Sequence, residues 1–166
     1  TQRPPRRETV SAGTGRVIRA RLLAPAADLA QSGPNVMKPL SVLVADDEQD
    51  IRVLLQLWLN EAGHAVVLVD NANAALQMIK RQLFDLVVTD VLMPEGDGLE
   101  LITALKIRQP AARILAISGG GRYLESDDCL KLARGWGAHA ALLKPFAHEQ
   151  FTGAIKQAFA PPPEWG

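Results

Sequence analysis

The sequence predicts an α/β fold: an open sheet of five parallel strands in the order 2-1-3-4-5, with helices wound on both faces. Three observations carry this. From Leu40 onward, short apolar runs alternate five times with stretches of helical period. The runs are nearly continuous in apolar residues, as strands buried on both faces are. Strict β-α alternation with short connections implies parallel strands joined by helical crossovers.

Each element has its own local reason. The first run, Ser41–Ala45, leads into a helix whose Ile51, Leu54, Leu55, Trp58 and Leu59 recur at three- and four-residue spacing and so share one face. Asp50 is placed to cap that helix and Gly63 to end it. The second run, Ala65–Val69, precedes a helix carrying Ala74, Ala75, Met78 and Ile79, with Asn71 or Asn73 as its cap. The third run is Asp85–Thr89, and its helix extends from about Gly98 to Arg108, stopping before Pro110. The fourth, Arg113–Ile117, precedes a helical segment from about Glu125 to Trp136. The fifth, His139–Leu143, precedes one from about His148 to Phe159, where Pro161–Pro163 forbid continuation. Five such units in about 120 residues match the flavodoxin-like doubly wound arrangement.

Composition narrows the function classes. The 166 residues fit one domain with some extra length, and 48% hydrophobic residues with only 5% aromatics give a core of Leu, Val, Ile and Ala. The one cysteine, Cys129, excludes an internally disulfide-stapled fold and is compatible with a reducing cytosol. No apolar run reaches the roughly 18 residues that span a bilayer, so a soluble, cytoplasmic protein without a membrane partner is expected.

The net charge of zero is split: residues 1–38 hold seven basic and two acidic side chains, the remainder eleven and sixteen. A basic head can attract nucleic acid or anionic lipid, but these basic residues follow no helical stripe. The segment is rich in Pro, Gly, Ser, Ala and Arg and too poor in large apolar side chains to offset its ordering entropy. It is Arg-rich and acid-poor, as organellar transit peptides are, and lacks the apolar stretch of a secretory signal. The simpler expectation is that 1–38 is a disordered or non-native extension, with Met37 the natural start. Residues 39–160 form the domain, and 161–166 are a short tail.

In open sheets of this kind ligands sit beyond the carboxyl ends of the strands, beside the point where the strand order reverses. Strand 1 ends in Asp46-Asp47-Glu48, strand 3 in Asp90, strand 4 in Ser118 and strand 5 in Lys144-Pro145. The fold makes these neighbours, so carboxylates, a hydroxyl and an ammonium converge on one crevice. Clustered carboxylates raise one another's pKa unless a cation shares the site. Hard oxygen ligands select Mg²⁺, with Mn²⁺ as the alternative. His64, His139 and His148 lack the spacing of zinc ligands.

Such a set suits attack by a carboxylate on a phosphoryl group, giving an acyl phosphate. Asp90 is then the nucleophile. Asp47, Asp90 and the backbone carbonyl of Leu92 hold the metal, and Asp46 orients a metal-bound water. Lys144 and the Ser118 hydroxyl each meet a phosphoryl oxygen. Pro94, Gly96 and Gly98 shape the loop after Asp90.

These pieces together resemble the receiver domain of two-component response regulators, the family of the chemotaxis regulator. The matching residues are Asp46-Asp47, the stretch Asp90-Val-Leu-Met-Pro-Glu-Gly-Asp-Gly98, Ser118, and Lys144-Pro145-Phe146, in order and each at a strand end, within about Leu40 to Ala160. The resemblance implies Mg²⁺-dependent phosphorylation of Asp90 from the phosphohistidine of a histidine kinase or histidine phosphotransfer protein. It implies a cis peptide between Lys144 and Pro145. It also implies a downstream protein contact through the fourth helix, fifth strand and fifth helix, in a monomer or a weak, phosphorylation-linked dimer. No turnover of an external substrate is expected, and the few residues after Phe159 are too short for a DNA-binding output domain.

The sequence departs from the family at Ala141, three residues before Lys144, where most receivers carry an aromatic that couples to the hydroxyl after strand 4. Readout through the Ser118 loop, loosened by Gly119–Gly121, is the expected substitute. Leu92 and Gly120, the side chains best placed to orient a hydrolytic water, cannot hydrogen-bond it, so a long-lived acyl phosphate is expected. Two alternatives remain at this level. One is a phosphorylation-independent pseudo-receiver scaffold. The other is an aspartyl-nucleophile phosphatase of the haloacid-dehalogenase type, which needs a second aspartate where this chain has Leu92.

Overall fold

The computed structural model describes residues 38–94, 98–119, 128, 131 and 134–161. The elements are β1 (Ser41–Ala45), α1 (Gln49–Glu61), β2 (Ala65–Val69), α2 (Ala72–Arg81), β3 (Leu86–Asp90), α3 (Gly98–Arg108), β4 (Arg113–Ser118), β5 (Ala140–Leu143) and α4 (His148–Phe159). The expected extension lies outside the described residues except for Lys38, as does the tail apart from Pro161. The fourth helical segment, about Glu125 to Trp136, falls largely outside them too.

The five strands form one parallel sheet in the order β2-β1-β3-β4-β5, as alternation and short connections predict. Successive side chains of a strand point to opposite faces, so each strand feeds two cores. Leu43, Ala45, Val87, Ile114 and Ala116 pack with Ala75 and Ile79 of α2 and Leu101, Ile102 and Leu105 of α3. Val42, Val44, Leu86, Val88, Leu115 and Ile117 pack with Leu55 and Leu59 of α1 and Phe151 and Ile155 of α4. Burying each such side chain contributes about 1.5–3 kcal/mol, which makes these two layers the main source of stability.

The element ends follow local chemistry. Asn71 caps α2, its side chain accepting from Ala74 N at 2.7 Å. Gly63, with φ of 85°, follows α1 in the left-handed conformation that glycine adopts without strain. At its start α1 differs from expectation. It begins at Gln49 with Glu48 in the N-cap position and no side-chain cap, because the Glu48 carboxylate is committed to Lys144 at 2.7 Å. Asp50 instead sits in the first turn, where a negative charge meets the positive end of the helix dipole. No described helix is long and apolar enough to cross a membrane.

Candidate functional site

Register and alternation build the site. Ala45 pairs with Thr89, so the next residues, Asp46 and Asp90, stand level at the top of the two central strands. Continuing the alternation, Asp46 follows Val42 and Val44, Asp90 follows Leu86 and Val88, and Lys144 follows Ala140 and Leu142. All three head toward the face covered by α1 and α4. Asp47 has the opposite parity and is exposed. Ser118 ends β4, fully buried, in line with Ile114 and Ala116 on the α2–α3 side.

Lys144 is the hub. Its Nζ lies 2.7 Å from Asp90 Oδ2, 2.7 Å from Glu48 Oε1 and 2.8 Å from Asp46 Oδ2. Burial of the lysine disfavours its charge, but hydrogen bonds to Asp46, Asp90 and Glu48 outweigh that and hold its pKa well above the ordinary lysine value. The loop carrying it is pinned by rings. Phe146 stacks on Phe151 of α4 with centroids 6.0 Å apart and lies 6.4 Å from Trp58 of α1. The Lys144–Pro145 peptide is cis.

Each acceptor carboxylate is oriented by a backbone amide. Leu92 N donates to Asp90 Oδ1 at 2.8 Å, and Glu48 N to Asp46 Oδ1 at 2.9 Å. Burial raises the pKa of Asp46, against the pull of Lys144 and the Glu48 amide. Its buried Oδ2 faces the Lys144 ammonium at 2.8 Å.

Asp46, Glu48 and Asp90 each offer an oxygen within 4.8 Å of the others, an all-oxygen set of the kind that Mg²⁺ or Mn²⁺ takes. Of the residues expected here, the structure brings Asp46, Asp90 and Lys144 together. Asp47 is exposed and outside this cluster, and Leu92 is 44% exposed with its N–H turned to Asp90. Glu48 is the addition. It stands in the acidic run, but only its contact with a lysine 96 residues away marks it.

Gly98 completes the floor. A Cβ built there would collide with the Asp90 carbonyl and the Val91 Cα, so only glycine lets α3 start this close to β3.

A doubly wound parallel sheet with a buried acidic pair at the carboxyl ends of β1 and β3, and a lysine from the end of the edge strand β5 laid against both, is an arrangement suited to a divalent cation and an anionic group. Residues 42–156 match the response regulator receiver domain, and the protein belongs to that family. It is 36% identical over 117 residues to the transcriptional regulatory protein FixJ of Bradyrhizobium diazoefficiens, covering 70% of this chain and 55% of FixJ. Among solved structures it resembles the beryllofluoride-activated NtrC4 receiver domain dimer, with a TM-score of 0.63 and 36% identity over 72% of this chain and 95% of that one. A Burkholderia pseudomallei response regulator, solved with a phosphorylated aspartic acid, calcium ion and citrate, gives a TM-score of 0.62 at 30% identity over 69% of this chain and 65% of that one. The chain spans about half the length of FixJ and about a quarter of the NtrC proteins it also matches.

Proposed function

We propose that Asp90 is the phospho-acceptor of this receiver. An Asp90 oxygen attacks the phosphorus of a phosphohistidine on a histidine kinase or histidine phosphotransfer protein. The P–O bond forms as the P–N bond breaks, the imidazole keeps the bonding pair, and Asp90 becomes an acyl phosphate. One observation carries this reading: a protonated lysine 2.7 Å from Asp90 Oδ2, beside a second buried carboxylate. An isolated strand-end aspartate has no need of either.

Asp46 and Asp90, which the structure clusters with Glu48, are the proposed oxygen donors for Mg²⁺, joined by Asp47 and the Leu92 carbonyl from the loops beside them. The bound ion would neutralise charge building on the phosphoryl oxygens. Lys144 moves from the carboxylates to a phosphoryl oxygen, and the Ser118 hydroxyl meets another. With Ala141 on β5, readout runs through the Ser118 loop to a protein partner or a further phosphotransfer step, in the cytoplasm and with no external substrate turned over.

Beryllofluoride with Mg²⁺ tests the switch, because it mimics the phosphoryl group on a carboxylate. Backbone NMR shifts are expected to spread from Asp90 to Ser118 and Lys144. In Ser118→Ala the shifts remain at Asp90 and are lost beyond residue 118. An unchanged spectrum of the parent chain would favour a scaffold that works without phosphate.

A further inference from the structure

We propose that Arg52 is a positioning residue for this site: it aims the Asp46 carboxylate by gripping the peptide group whose N–H holds it. This rests on the reading of Asp46 and Asp90 as a cation-binding, phospho-accepting pair.

The geometry is a short relay. Arg52 Nη1 donates to the backbone carbonyl of Asp46 at 2.7 Å and to that of Asp47 at 2.9 Å. The Asp47 carbonyl and the Glu48 N–H belong to one peptide group, planar and with its two ends pointing opposite ways. That N–H donates to Asp46 Oδ1 at 2.9 Å. A guanidinium on the oxygen end therefore fixes the direction of the N–H end. With Oδ1 held, the carboxylate plane is set, and buried Oδ2 faces Lys144 Nζ at 2.8 Å.

The loop is anchored on either side of this relay. Asp46 N donates to Val69 O at 3.2 Å, and Arg52 N to Glu48 O at 3.1 Å. Arg52 thus closes a ring from the first turn of α1 back onto the end of β1. Its charge also polarises the peptide, strengthening the hydrogen bond that the Glu48 N–H donates to Asp46 Oδ1.

The sign of one substitution separates positioning from bulk electrostatics. Arg52 is cationic and close to the acidic cluster, so charge alone predicts that its removal tightens divalent-ion binding. The relay predicts the reverse, because supports behind a ligand typically change metal affinity by roughly 10- to 100-fold. Calorimetric titration of the full chain with MgCl₂ is the test. Arg52→Gln is expected to weaken binding roughly tenfold. Arg52→Lys is expected to recover most of the loss, since one ammonium can sit between both carbonyls as Nη1 does.

Hydrogen exchange supplies a second readout. The Glu48 amide is expected to be protected in the parent chain and to exchange faster in Arg52→Gln, while the β3 and β4 amides stay unchanged. Unaltered or tighter Mg²⁺ binding in Arg52→Gln, with Glu48 exchange unmoved, overturns the proposal. If that variant does not fold, an unprotected Glu48 amide in the parent chain overturns it and a protected one supports it. A parent chain that binds no Mg²⁺ brings down the reading of the site itself; binding that ignores Arg52 brings down this proposal alone.

Discussion

Lys144 is both anchor and obstacle. Its ammonium lies against three carboxylates, two of them the oxygens that an ion at Asp46 and Asp90 would need. An ion bound there would therefore compete with the lysine for the same oxygens. Lys144→Gln should bind Mg²⁺ roughly tenfold more tightly, about 1.4 kcal/mol, while accepting phosphoryl groups more slowly. Titration of both proteins checks this, and weaker binding in the variant would contradict it. Asp90 and Lys144 are legible in the sequence because each is the first charged residue at the end of a largely apolar run. Which member of Asp46-Asp47-Glu48 turns inward is harder to read. It depends on strand parity and on a lysine far along the chain.

At the scale of elements, Gln109 shows what a linear pattern hides. It follows α3 and is buried, with its Oε1 accepting from Phe84 N at 2.9 Å. Its Nε2 donates to Ile79 O at 2.9 Å and to Gln82 O at 2.8 Å. One side chain thereby ties the end of α2 and the approach to β3 to the end of α3. Nothing in the sequence around it distinguishes this glutamine from a solvated one, because its partners are backbone groups 25 to 30 residues away. Gln109→Leu keeps the bulk but orphans those groups, at about 1–3 kcal/mol for each that stays buried. A loss of about 2–3 kcal/mol is expected in urea unfolding, and a neutral result would mean that water replaces the amide. The start of α1 is misjudged from sequence for a related reason: the residue in the cap position spends its carboxylate on the site instead of the helix.

Over the whole molecule the fold is more legible than the site. Five apolar runs and five helical periods fix the layers, and parallel topology fixes which strand ends converge. Two histidines add a property that the sequence does not announce. His64 Nδ1 accepts from Leu40 N at 3.2 Å, and His139 Nδ1 from Ile114 N at 3.0 Å. Burial lowers both pKa values, and for His139 the Arg113 and Lys106 charges lower it further. Below the ordinary histidine value of 6.5 the unfolded chain therefore binds more protons than the folded one, and stability is lost as the pH is lowered. Melting temperature should drop between pH 7.5 and 5.5, and less steeply in a His64→Asn, His139→Asn double variant whose amides retain an acceptor. Parallel slopes would exclude these histidines as the cause.

The acceptor assignment is tested most directly by incubating the chain with acetyl phosphate and Mg²⁺ and mapping the added phosphoryl mass by peptide mass spectrometry. The prediction is one Mg²⁺-dependent modification, on Asp90, that vanishes in Asp90→Asn. A modification that persists in that variant or maps to another residue, or a chain that gains no mass at all, would contradict it.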